Sequence, residues 1–170
     1  MSDAAGVDGW KATDSAFDRV RSVAVTLTQL RSADWIADQA AVAGNTARNH
    51  LERLVEMNVL EEVSHEGVTR YRPDPLYTRM RALRDLLDER DRDDLVNLRA
   101  ELQEQVETWQ NEYDVNSPDG LREQAASTET SDLTRELRRT SNDWEIVRYR
   151  LELVEEAIDR YSEYSRTPPA

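Results

Sequence analysis

Residues 45–72 read NTARNHLERLVEMNVLEEVSHEGVTRYR, and a change of period inside this stretch decides the fold. In the first half, Ala47, Leu51 and Leu54 recur at spacings of 4 and 3. At about 100° per residue, these three lie within about 60° of one another, with Asn45, Asn49, Glu52 and Glu56 on the opposite side. The pattern predicts a helix from roughly Asn45 to Met57 with one buried stripe. In the second half, Val59–Val63 and Val68–Arg72 are short β-prone runs. Ser64-His65-Glu66-Gly67 between them supplies turn chemistry, so a hairpin follows the helix. Pro73 and Pro75 close the second run because proline cannot donate to a ladder.

Upstream, Phe17, Val20, Ala24, Leu27 and Leu30 mark one helix from Asp14 to near Arg31. A short helix comes next, with Asp34 as its N-cap and Ile36, Ala37 and Ala40 turned inward. Val42-Ala43-Gly44 reads as a tight turn. Residues 14–75 therefore read helix, helix, helix, hairpin, the order of a winged helix-turn-helix. Residues 1–13 are small, polar and aperiodic, and predict a mobile arm.

Beyond Pro75 every periodic segment is helical. Leu76, Met80, Leu83 and Leu87 mark one helix. Asp91 and Asp94 stand as N-cap and third-position partner of the next, which carries Leu95, Leu98, Leu102, Val106, Trp109 and Tyr113. Ser117-Pro118 opens a short helix to about Ala126. Leu133, Leu137, Thr140, Trp144, Val147, Leu151, Val154, Ile158 and Tyr161 then alternate spacings of 4 and 3, a seam of about four heptads. A break at Thr140-Ser141-Asn142 stays open, because Asn142 and Glu145 resemble a capping box. The seam is too long for a small winged domain to cover. It predicts a helical dimerisation region over 76–165, with Leu137, Trp144, Val147, Leu151, Val154 and Ile158 at a homodimer interface. The alternative cover is the Leu95–Tyr113 helix of the same chain. Residues 166–170 read as a frayed tail. The expected fold class is mainly α: a winged helix-turn-helix with a small β-hairpin wing, followed by that helical region.

Charge separates the two parts. The chain of 170 residues carries 22 basic and 35 acidic side chains. Residues 1–84 hold 11 basic and 12 acidic groups, net −1, whereas residues 85–170 hold 11 and 23, net −12. A near-neutral first part can face a polyanion; the second part is poorly suited to it. Of the basic residues 21 are arginine and only Lys11 is lysine. Such acidity with almost no lysine fits a protein of a salt-in halophile, whose surface carboxylates hold water and repel little in molar salt; the alternative is an acidic protein from a GC-rich genome. Leu, Ile, Val and Phe total 35, which predicts a thin core.

Several functions are disfavoured. Without cysteine there are no disulfides and no thiolate metal sites. The two histidines, His50 and His65, do not form a ligand pair; His50 is expected to pack beside the buried stripe. Asp88–Asp94 lacks the glycine and spaced ligands of a calcium loop and reads as a solvated helix boundary. Trp109, Tyr113, Trp144 and Tyr149 at helical spacing read as core before effector pocket, so any effector stays unknown. There is no phosphate-cradling glycine loop and no nucleophile elbow, so neither an enzyme nor a cofactor or metal is expected. No apolar run is long enough to cross a membrane, and residues 1–15 lack a secretory pattern, so a cytoplasmic location is expected.

In helix-turn-helix docking, the start of the second helix enters the major groove. Here that end presents Asn45, Thr46, Arg48 and Asn49, flanked by Arg53. Asparagine can pair with adenine, and arginine with guanine or phosphate. Asn and Thr also favour helix starts for capping reasons alone, so an ordinary solvated face is the competing reading. The stretch from Asp34 to Leu60 resembles the ArsR/MarR-like winged-helix regulators of prokaryotes. It has Ile36-Ala37 in the second helix, then Thr46-Ala47, then Leu51 and Leu54, with Asn58-Val59 leading into the wing. The helical part, with Tyr113–Pro118 and Trp144–Leu151, is similar to members of that class from halophilic archaea. Where the family usually has glycine, Asn58 stands; asparagine tolerates a left-handed backbone next best. The resemblance implies that Asn45, Thr46, Arg48 and Asn49 read bases and that Arg70 and Arg72 of the wing contact phosphate or the minor groove. Tyr71 between them is expected in the core. Metal sensing of the arsenic type is not implied, since its cysteines are absent. The implied function is sequence-specific binding of double-stranded DNA by a transcriptional regulator acting as a homodimer. The alternative is a winged-helix module that docks a partner of the transcription machinery through its acidic helices.

Overall fold

The computed structural model describes residues 15–165. The arm expected over 1–13 and the tail expected over 166–170 lie outside the described residues. The chain divides into two compact units between Met80 and Arg81.

The first unit contains α1 (Ala16–Ala24), β1 (Arg31–Ser32), α2 (Ala33–Ala40), α3 (Gly44–Glu56), β2 (Leu60–His65) and β3 (Val68–Pro73). Ser15 caps α1 by accepting from Asp18 N at 3.1 Å. The helix stops at Ala24, not near Arg31 as its apolar spacing suggested. Thr26 Oγ1 donates to Val23 O at 2.9 Å, and β-branched Val25-Thr26 are weak helix formers. The chain needs extended backbone soon afterwards, because Arg31 and Ser32 pair antiparallel with Tyr71 and Arg70 of β3. This third strand is too short to show a period in the sequence. Ser32, not Asp34, caps α2, its hydroxyl accepting from Trp35 N at 3.2 Å.

The sheet runs in the order β1-β3-β2. β2 and β3 pair from Leu60↔Pro73 to His65↔Val68, so only Glu66 and Gly67 make the turn. Both have positive φ, 52° and 77°, the left-handed pair that a two-residue hairpin requires. The core of this unit joins Val20 and Ala24 of α1, Ile36, Ala37 and Ala40 of α2, and Ala47, Leu51 and Leu54 of α3 with Val59, Leu60 and Tyr71. The stripe read from residues 45–57 is thus the buried one.

Helix α4 (Pro75–Glu89) begins in the first unit, where Asp74 Oδ1 accepts from the amides of Leu76 and Tyr77 at 2.9 Å. The second unit holds the rest of α4 with α5 (Arg92–Tyr113), α6 (Pro118–Ser127), α7 (Ser131–Asp159) and the short α8 (Tyr161–Tyr164). Asp91 and Asp94 form the full capping box of α5. Helix α7 is continuous through Thr140-Ser141-Asn142. Ser141 is buried, and its hydroxyl donates to Pro118 O of α6 at 3.1 Å, so the polar residue ties two helices rather than breaking one.

Much of the heptad seam is already buried within one chain, although Leu133 at its start is exposed. Val147, Val154 and Ile158 pack with Leu95, Leu98 and Leu102 of α5 and Leu83 and Leu87 of α4, with Leu151 half-buried against them. Leu137 and Trp144 pack with Leu121 and Ala125 of α6. Of the six residues assigned to a homodimer interface, Leu137, Trp144, Val147, Val154 and Ile158 are buried within one chain against α4, α5 and α6, and Leu151 is half-buried. The reason is geometric: α5 and α6 both pack along α7 and present their own apolar residues to it. Trp109 and Trp144 lie 5.8 Å apart ring to ring, with Tyr113 against the same cluster, whereas Tyr149 is exposed.

Candidate nucleic-acid interface

Helices α2 and α3 are joined by a turn in which Ala41 takes a left-handed φ of 52°. This ends α2 and lets α3 start at Gly44. With Ala47, Leu51 and Leu54 fully buried, α3 turns Asn45, Arg48, Asn49 and Glu52 to solvent; Thr46 is half-buried. Asn45, Arg48 and Asn49 are thus exposed at the start of α3, and two of them are already engaged. Arg48 Nη2 donates to Asp34 Oδ1 at 2.6 Å, and Arg48 Nη1 donates to Asn45 Oδ1 at 3.2 Å. Arg53 turns towards α1, its guanidinium 5.1 Å from the centre of the Phe17 ring. His50 meets the same ring edge-on at 5.5 Å, the packing role read for it from sequence.

On the hairpin, the alternation of β3 buries Tyr71 and exposes Arg70 and Arg72. Arg72 is ion-paired with Glu61, its cross-strand partner. Asn58 enters the hairpin with φ 56°, so asparagine fills the left-handed position the resemblance assigns to glycine. Between α3, the start of α2 and the hairpin lies a cleft of about 390 Å³, lined by Asp34, Arg48, Glu52, Val68, Thr69 and Tyr71 among others. Burial pushes the Tyr71 hydroxyl above its usual pKa of 10.0; the charges of Glu62 and Glu52 push the same way, and Arg48 opposes them.

Sequence reasoning missed Asp34 and Glu61 as partners of the two arginines. Asp34 read as a cap, and nothing in its spacing shows that the α2–α3 turn aims it at Arg48. Glu61 was legible in principle, because hairpin register places it opposite Arg72. Among the described residues, no group of three or more His, Asp or Glu side chains is arranged to hold a metal ion. No described helix is long and apolar enough to cross a membrane.

The fold and this face define a mainly α protein whose first unit is a winged helix-turn-helix with a three-stranded sheet. The chain belongs to the family described as "Family of unknown function (DUF7342)", which matches residues 14–163. Among solved structures, one described as "Crystal Structure of a transcriptional regulator" is similar at 17% identity and a TM-score of 0.35, over 93% of this chain and 92% of that chain. No curated protein matches the chain.

Proposed function

We propose that this protein binds double-stranded DNA and regulates transcription, with the N-terminal end of α3 in the major groove and the hairpin along the backbone or minor groove. The observation that carries the reading is the exposed face of α3. Asn45, Arg48 and Asn49 project from the start of a helix whose opposite face is locked into the core, beside a wing that exposes Arg70 and Arg72. Such a helix start is the part that reaches base edges in helix-turn-helix docking. Neither catalysis nor a cofactor is part of the proposal.

The test is selection of bound sequences from a random duplex pool at molar KCl, followed by affinity measurements on variants. Arg48→Ala and Asn49→Ala should each cost about 1–3 kcal/mol on the selected site and relax preference at one position. Arg70→Ala should weaken binding to all sequences evenly, because phosphate contacts position rather than specify. Helix variants that bind the selected site as tightly as the parent would refute the reading. A second reading, docking of a protein partner, is favoured by the carboxylates that pair with Arg48 and Arg72. Capture of a partner unaffected by Arg48→Ala, with no duplex selected, would support it instead.

A further inference from the structure

We infer that Asp34 is a built-in competitor for Arg48: its carboxylate holds the guanidinium in the free protein, and DNA binds by displacing it. The inference rests on the DNA-reading assignment above and adds a specificity-determining residue to it. Asp34 is the second residue of α2, where a carboxylate is favoured by the positive end of the helix dipole. The capping bond is made by Ser32, so Asp34 is left to reach across the turn to α3.

The contact ties up the groups needed for reading bases. A guanine edge needs the paired N–H groups of Arg48, and these donate to Asp34 and Asn45. An adenine needs the side-chain carbonyl of Asn45, and this accepts from Arg48. The three side chains therefore satisfy one another where bases would otherwise be read. Arg48 and Asp34 are 48% and 73% exposed, so the pair is open to a ligand and weak enough to exchange.

Exchange is not neutral among ligands. A guanine edge accepts two parallel hydrogen bonds and replaces both that Arg48 gives up; a lone phosphate oxygen replaces them less completely. Once released, Asp34 stands near the phosphates and repels them, a cost that salt screens. Asp34 thereby suppresses binding to arbitrary sequence more than binding to a site with guanine at the Arg48 position.

The experiment uses the full chain and two duplexes, the selected site and an unrelated sequence, at low and molar KCl. Wild type, Asp34→Asn, Arg48→Ala and the double variant are compared. Asp34→Asn should bind the unrelated duplex about two- to fivefold more tightly, the scale of one exposed ion pair, and the selected site with a smaller gain. The gain should vanish in the Arg48→Ala background and shrink in molar KCl. Asp34→Glu, which keeps the charge, should stay near wild type. An unchanged or weakened Asp34→Asn would overturn the inference. So would an equal gain with and without Arg48, which would make Asp34 a general repulsive charge. Wild type that retains no duplex at any salt concentration would instead sink the DNA-reading assignment, and the inference with it.

Discussion

Tyr71 shows how a single side chain can serve both core and surface. Its ring is buried among α2, α3 and β3, while its hydroxyl feels Glu62, Glu52 and Arg48 around the cleft. Since the folded pKa is raised above 10.0, the folded state holds this proton more tightly than the unfolded chain does. The stability so gained is complete below pH 10 and is lost as pH rises through the raised value. Urea midpoints should therefore fall as pH climbs above about 10, and Tyr71→Phe should remove part of that alkaline slope. An identical slope in the variant would show that Tyr71 titrates normally. The neighbouring arginines illustrate the limit of a residue's type: Arg48 and Arg72 both carry the charge expected of a DNA contact, yet each is held by a carboxylate.

At the scale of elements, the joint between α5 and α6 has little slack. Gly120, in the first turn of α6, sits against Val115; a Cβ there would lie 2.9 Å from Val115 Cβ and Cγ1. Gly120→Ala gains helix propensity worth up to about 1 kcal/mol, but overpacking costs about 1–3 kcal/mol. The variant should lower the melting temperature, and adding Val115→Ala should restore it. A melting temperature raised by Gly120→Ala alone would mean that the loop gives way freely. The same joint is fixed from α7 by Ser141 on the Pro118 carbonyl. Arg122 of α6 adds a weak exposed bridge to Glu145 at 3.3 Å, where screening leaves little net stabilisation.

At the scale of the whole molecule, the acidic charge and the thin core set the behaviour. Val154 is fully buried in the core of the second unit, so Val154→Glu places an unpaired charge in an apolar core at a cost of several kcal/mol. The expected outcome is unfolding of this unit at a midpoint independent of protein concentration. Dissociation that depends on concentration, followed by light scattering, would return the seam to an interface between chains. Salt gives a second test. With net −1 over residues 1–84 and −12 over residues 85–170, self-repulsion and repulsion of DNA are strongest at low ionic strength. The screening length falls from about 10 Å at 0.1 M to about 3 Å at 1 M. Affinity for a selected duplex should stay flat or rise with KCl up to molar concentration, with folding checked by circular dichroism at each point. A steep fall would mean that cation release by the basic contacts dominates.

Features that repeat with a period or obey a local rule were legible in the chain. The buried stripe Ala47–Leu51–Leu54, the alternation around Tyr71 and the capping box at Asp91 each depend on neighbours a few residues away. The hairpin, the order of helices and the exposed face of α3 follow from them. The remaining features depend on which residues face one another across long separations, and the folded chain alone fixes these. An apolar seam records that it must be covered, not by which helix; α5 and α6 cover it because the chain folds back on α7 within one unit. Likewise, a two-residue strand has no period, and β1 exists only because β3 offers it an edge. The carboxylate of Asp34 shows the same division. Its charge is legible in the chain, but its partner, 14 residues away, is chosen by the turn that brings the start of α2 beside the start of α3.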